Sequence, residues 1–287
     1  MVTRRVVLSL TAAALATLAL LAPGLAAQGG GAAVAVDPLH KPLDTLLNEY
    51  VRDGLVYYGA VKQDRVVLDR YIGALGAITP ATYAAWSRNR QIAFWLNAYN
   101  AFVLQTVIDH YPIRGRAANY PRNSIRQIPG AFDRIQHRAA GRLVTLDQIE
   151  QQILPTFHDA RLYFALGRGA IGSGRLHSEA YDSMRLEAQL TSVRDECLDR
   201  SACAQIDEVG NQIAVSPIFS WDSADFVADY AGHAAPMYAT RSPIERAVLA
   251  YVRPELLTLE KDFVAKNTFR IVYQKFDWRL NDMSRRD

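Results

Sequence analysis

Phe94-Trp95-Leu96-Asn97-Ala98-Tyr99-Asn100 sits inside a run from Asn89 to Tyr111 that is apolar on nearly every side. A helix that is apolar all round belongs in the middle of a domain. Ser87 is placed to cap it, and Pro112 stops it. Asn97 and Asn100, three residues apart, then share one face of the buried helix. An amide left unpaired in such a place costs about 1–3 kcal/mol, so other parts of the chain must meet both side chains.

The elements around this helix can be read outward from it. Leu39, Leu43, Leu46, Leu47, Tyr50 and Val51 form one helical stripe, and Val66, Leu68, Tyr71, Ile72 and Leu75 a second. A short extended crossing, Gly54 to Tyr58, lies between them, and Pro80 to Trp86 makes a short third helix. Residues 114–133, rich in Arg, Asn, Pro and Gly, read as a long surface excursion. Two short runs flanking Gly141 suggest a hairpin, and Thr145 with Gln148 resembles a capping box that opens a helix through Leu154. Arg161 to Leu166 reads as an apolar strand and Ser183 to Leu198 as a periodic helix. A hairpin turns at Gly210-Asn211, helices follow near Ala224–Tyr230 and Pro243–Val252, and Phe269–Tyr273 returns as a strand. Helices outnumber strands, and the strands cluster by hairpins. The expected class is therefore α+β: a helix-rich single domain over 38–287 with a buried central helix and a small, mainly antiparallel sheet.

Composition bounds the function. Arg4 and Arg5 precede an uncharged apolar run, Val6 to Ala22, broken by Pro23-Gly24, and small residues suit cleavage after Ala26. Residues 1–26 read as a secretory signal peptide of the Sec type, with an uncleaved membrane anchor as the alternative, and 27–37 as a flexible linker. The protein is then periplasmic or secreted and touches a membrane only if that segment stays uncleaved. The formal charge of +3 falls to +1 without the two signal arginines, which gives no argument for nucleic acid. Cys197 and Cys203, the only two cysteines, either form a local disulfide in an oxidising compartment or are unrelated small residues.

The glycine-rich loop Gly167-Arg168-Gly169-Ala170-Ile171-Gly172-Ser173-Gly174-Arg175 satisfies G-x-G-x-x-G. It lacks the helix that should open within the glycines and the surrounding βαβ unit, so dinucleotide binding is rejected and no cofactor is expected. Two readings of the glycines stay open. In one, backbone N–H groups form an anion nest flanked by Arg168, Arg175 and His177. In the other, the loop is a tight turn against the central helix where only Gly fits. Ser173 is a candidate nucleophile that lacks the G-x-S-x-G elbow and needs a base, for which His177, His158 and His137 are near in sequence. No HExxH, paired Cys ligands or EF-hand loop points to a metal. Glu150 either sits in solvent or turns inward to the asparagines. The Trp221–Phe226 loop mixes aromatics with acids and reads chiefly as a helix cap through Asp222 or Ser223. The tail Lys275–Asn281 is expected to dock through its two aromatics.

These segments resemble the bacterial and plant family labelled domain of unknown function 547. The matching runs include Ala93–Asn100, His110-Tyr111-Pro112, Leu146–Glu150, Phe164-Ala165-Leu166, Glu179-Ala180-Tyr181, Phe219-Ser220-Trp221 with Asp225-Phe226, and Phe276–Asn281. Typical members look as if they carry Cys-Pro at Ser173-Gly174, a Cys at Arg168 and a His at Gln151. The resemblance implies a thiol hydrolase only by analogy, and this chain departs from it at both the thiol and the imidazole. The preferred reading is an exported, non-catalytic or degenerate domain. It would bind a small anionic or peptide-like ligand over Asn97, Asn100, Glu150, Gly167, Arg168, Gly169, Arg175 and His177. A hydrolase using Ser173 and a structural or interaction module are the alternatives.

Overall fold

The computed structural model describes residues 36–284; the expected signal segment and most of the linker lie outside them. The central helix runs Arg88–His110, and between Ile92 and Ile108 every residue but Gln105 is buried. Ser87 accepts a hydrogen bond from the N–H of Arg90 at its start. It ends one residue before Tyr111, whose extended backbone (ψ 137°) is what a following proline imposes. Helix Val66–Ala77 packs on this rod and helix Lys41–Tyr50 packs on Val66–Ala77, their expected leucine stripes burying Leu43, Leu46, Leu47, Leu68 and Leu75. The short strands Val51–Arg52 and Leu55–Val56 pair antiparallel as the expected crossing, and Val56 also bridges Asp282 near the carboxyl end.

The fold is helix-rich α+β, as the patterning indicates. The strands, however, are distributed over three small sheets rather than one. Two hairpins, His137–Ala139 with Arg142–Val144 and Ala204–Asp207 with Gln212–Val215, occur where their turn residues place them. Arg270–Tyr273 then adds to the second hairpin in parallel. Thr145 and Gln148 form the reciprocal capping box. The segment it opens changes character along its length, from α-helix through a π-helical stretch, Ile149–Ile153, to a 3₁₀ turn at Leu154–Phe157 that contains Pro155.

One expectation fails. Ala160–Ala165 is a 3₁₀ helix, not a strand. A short run that is apolar but for Arg161 does not reveal its period. Asp159 caps the segment through the Arg161 N–H, and its carbonyls bond to side chains: that of Tyr163 accepts from Arg168 and that of Ala165 from Asn100. The cysteines resolve as a disulfide between Cys197 at the end of helix Leu186–Asp199 and Cys203 just before the second hairpin. Among the described residues no helix is long and apolar enough to cross a membrane.

Candidate functional site

Both buried amides are met by backbone. Asn97 donates to the carbonyl of Tyr181 (2.8 Å) and accepts from its N–H (2.9 Å), as a neighbouring strand would. Asn100 donates to the carbonyl of Ala165 (3.2 Å) and accepts from the N–H of Gly167 (2.8 Å). The pair therefore clamps two later segments onto the central helix, and its hydrogen-bonding capacity for a ligand is largely engaged.

The glycine-rich loop follows the steric reading more closely than the nest. Gly169 has φ +63°, and a Cβ there would lie 3.2 Å from Val103 of the central helix; a Cβ on Gly174 would collide with the carbonyl of Phe164. Several of the N–H groups a nest would use are engaged within the protein. That of Gly167 bonds Asn100, those of Ile171 and Gly172 bond the tail carbonyls of Arg279 and Asp277 (both 2.9 Å), and that of Ser173 bonds Ala170. The expected docking of the tail is thus what occupies the loop. Asn281 completes it from a buried position, accepting from the Tyr58 hydroxyl and donating to the Gly54 carbonyl.

The candidate side chains of this loop divide between two clefts with no residue in common. Ser173, Arg175 and His177 line one of them, together with Glu196 and Arg200. There His177 Nε2 stands 3.5 Å from Glu196, and Arg175 is held by Asp53 and Glu196 at 3.4 and 3.5 Å. The Ser173 hydroxyl is buried and makes no hydrogen bond, to a histidine or to anything else among the described residues. The geometry a serine nucleophile needs is therefore not present around it. His137 is far from this chemistry in another sense: it is buried, stacked on Phe102 at 4.3 Å, and burial lowers its pKa to about 4.

Arg168 faces the other cleft. It is 1% exposed, and both Nε and Nη2 donate to Glu150 Oε1 while Nη1 donates to the Tyr163 carbonyl. Burial works hardest against the guanidinium charge, but Glu150, Tyr99 and Asp222 together outweigh it and hold the Arg168 pKa above its usual value. Glu150 does turn inward, yet to Arg168 and to the Tyr99 hydroxyl (3.0 Å) rather than to the asparagines. Tyr99 lies between Asn97 and Asn100 in sequence, so the same helix that clamps the loop also seats this ion pair.

Above the pair opens a cavity of about 280 Å³ lined by Arg126, Asp147, Gln151, Asp222, Trp221 and Trp278, with Phe132 at its side. The two indoles lie nearly parallel, 17° apart, with ring centroids separated by 6.2 Å. The Arg126 guanidinium rests between Phe132 and Trp278, 4.2 and 4.3 Å from their ring centroids. Asp222 corrects a second expectation. It stands at the N-cap of helix Ser223–Tyr230 but makes no capping hydrogen bond, and its Oδ2 is buried without a partner. Burial first, then the nearby Glu150 and Asp225, push its pKa up to about 7 against the opposing pull of Arg168. Asp147 is raised as well, chiefly by burial and then by Glu150. A carboxyl with a perturbed pKa in an aromatic cleft is what a binding or reacting site presents.

Of the expected site residues, the structure brings Glu150 and Arg168 to this cleft, while Asn97, Asn100, Gly167 and Gly169 serve as scaffold between the central helix and the segments it clamps. Arg175, His177 and Ser173 are elsewhere. Trp221, Asp222, Trp278, Arg126 and Asp147 were not singled out as ligand groups. The available signal was the adjacency of an aromatic and an acid at Trp221-Asp222, matched by a second tryptophan in the tail.

Residues 83–197 match the family described as Protein of unknown function, DUF547. The matched stretch holds the central helix, Glu150, the glycine-rich loop and Cys197, while Trp221, Asp222 and Trp278 lie beyond it. No curated protein and no solved structure gives a significant match to the chain. Between residues 83 and 197 the chain carries a domain of the DUF547 family, a family of unknown function.

Proposed function

We propose that the domain binds a small, polar, nearly uncharged ligand in the Trp221–Trp278 cleft over the Glu150–Arg168 pair. The observation that carries this reading is the buried Asp222 Oδ2 without a partner on the wall of that cleft. A polar atom so placed costs about 1–3 kcal/mol if nothing meets it, and a bound ligand removes that cost. The charges around the cavity nearly cancel, since Glu150 neutralises Arg168 and Asp147 opposes Arg126. This balance argues for the peptide-like side of the original expectation, or another neutral polar ligand, and against an anion. The two arginines expected to attract an anion are both engaged by carboxylates of the chain.

We propose export as well: residues 1–26 serve as a signal segment and the Cys197–Cys203 disulfide forms in an oxidising compartment. The ligand is then drawn from molecules outside the cytoplasm. The test is a thermal-shift screen of the purified protein against neutral cell-wall fragments, amino sugars and short blocked peptides, repeated with Asp222→Asn. A ligand at a hundred times its Kd raises stability by about 2.7 kcal/mol. The reading expects at least one such shift in the parent protein and its loss or reduction in the variant; hits that Asp222→Asn and Trp278→Ala leave untouched would overturn it.

A further inference from the structure

The cleft does not end at Trp278. A second hollow, of about 540 Å³, continues on that residue and is lined by Asn119, Tyr120, Pro121, Lys275 and Asp277. Tyr120 meets Trp278 edge-on, with ring centroids 6.2 Å apart and an interplanar angle of 86°. Trp278 is therefore the shared wall of an inner cleft and an outer groove, and Trp221, 46% exposed, extends the ring surface on the inner side.

The inner cleft presents one unmet donor and one unmet acceptor. Arg126 Nε and Asp222 Oδ2 are both buried without hydrogen-bond partners, on residues that line the same cavity. A hydroxyl group is donor and acceptor at once, so a pair of neighbouring hydroxyls satisfies both atoms, whereas an ammonium or a phosphate satisfies only one. Around these atoms the walls are flat ring faces, which pack against the C–H faces of sugar rings while the hydroxyls at the ring rim reach the polar groups. The outer groove repeats the composition: ring faces from Tyr120 and Trp278, an amide at Asn119, and Asp277 hydrogen-bonded to Arg279. Neither half carries the excess charge that a polyanion requires. An extended peptide would seek a strand edge, and the edge strand Arg270–Tyr273 is not part of either lining.

We infer that the ligand is a neutral oligosaccharide, its terminal unit in the cavity beside Trp221, Asp222 and Arg126 and its chain running past Trp278 into the groove beside Tyr120. This rests on the cleft reading proposed above and adds the ligand class and its direction.

The experiment follows intrinsic tryptophan fluorescence while the purified protein is titrated with β-1,4-linked N-acetylglucosamine oligomers and glucose oligomers of one to six units. End-blocked tetra-alanine is run in parallel. The inference expects affinity in one sugar series to rise at least tenfold between one and four units, then level off. Tyr120→Ala should abolish that rise, and Trp278→Ala should weaken every length. Sugars bound with no dependence on length, or tetra-alanine bound more tightly than any sugar, would overturn the oligosaccharide inference and leave the cleft reading intact. No response to either sugar series also overturns it, and the cleft reading then stands or falls on the broader screen with Asp222→Asn.

Discussion

Replacing Glu150 by Gln tests whether the buried ion pair is the floor of the site. In the parent protein Arg168 Nε lies 3.1 Å from Glu150 Oε1, with the guanidinium almost wholly out of solvent. At an effective dielectric constant of about 20, two unit charges at that distance attract by about 5 kcal/mol. Glu150→Gln keeps the shape but removes the charge, leaving a buried cation uncompensated and a single amide oxygen where Arg168 and the Tyr99 hydroxyl each used one of the two carboxylate oxygens. Breaking a buried pair from one side destabilises by about 3–5 kcal/mol. In a domain of this size 1 kcal/mol corresponds to about 2 °C, so the melting temperature should fall by about 6–10 °C in a calorimetric scan at pH 7. Glu150→Gln combined with Arg168→Met removes both charges and should recover much of the loss, because it no longer buries a lone ion. A fall below about 2 °C in the single variant, or strictly additive losses in the double variant, would refute the claim that the two residues act as one buried pair.

Other perturbations separate scaffold from site. Asn97→Ala and Asn100→Ala each leave backbone groups of the clamped segments unmet, so each should cost about 1–3 kcal/mol by chemical denaturation, without any residue of the aromatic cleft being touched. For Asp222 the folded-state pKa of about 7 exceeds the ordinary carboxylate value, so the folded protein holds a proton that the unfolded chain has lost between about pH 4 and pH 7. Stability from this group therefore declines as pH rises through that window; the melting temperature of Asp222→Asn relative to the parent should climb between pH 4.5 and pH 8, and a flat difference would contradict the burial argument. Gly169→Ala forces a side chain into the left-handed region beside Val103, with a loss of at least about 1–2 kcal/mol expected in a melt. Opening the short Cys197–Cys203 loop by reduction should lower stability by about 2 kcal/mol, measured as a shift of the urea midpoint.

The parts of this fold that local chemistry dictates were legible in the chain. The central helix announces itself by apolarity on all sides, and Ser87, Pro112, the Thr145–Gln148 box and the Gly210-Asn211 turn each carry their own backbone consequence. The strand expected at Arg161–Leu166 fails because so few residues, apolar but for Arg161, fit either period. What decides them is long-range, namely Asn100 and Arg168 taking the carbonyls of Ala165 and Tyr163. The site was legible only in its buried half. Two asparagines in an apolar helix demand partners, and the glycines do meet one of them, at Gly167. That the partners would be backbone, and that Glu150 would choose Arg168 and Tyr99 instead, depends on side-chain geometry no spacing reveals. Asp222 was hidden for a similar reason. Its position before a helix makes a cap the default, and only the tertiary placement of Trp221 and Trp278 shows its carboxyl on a cleft wall.

The central claim is that the Trp221–Trp278 cleft is the place where a ligand sits. The most direct measurement is the Kd of the strongest hit from the ligand screen, read by tryptophan fluorescence in the parent protein, Asp222→Asn and Trp278→Ala, with acrylamide quenching recorded at saturation. Bound ligand should shield the half-exposed Trp221 from acrylamide, and each substitution should raise Kd at least tenfold. Unchanged affinity in both variants, with Trp221 quenched equally in the free and bound states, would place the ligand somewhere else and contradict the account.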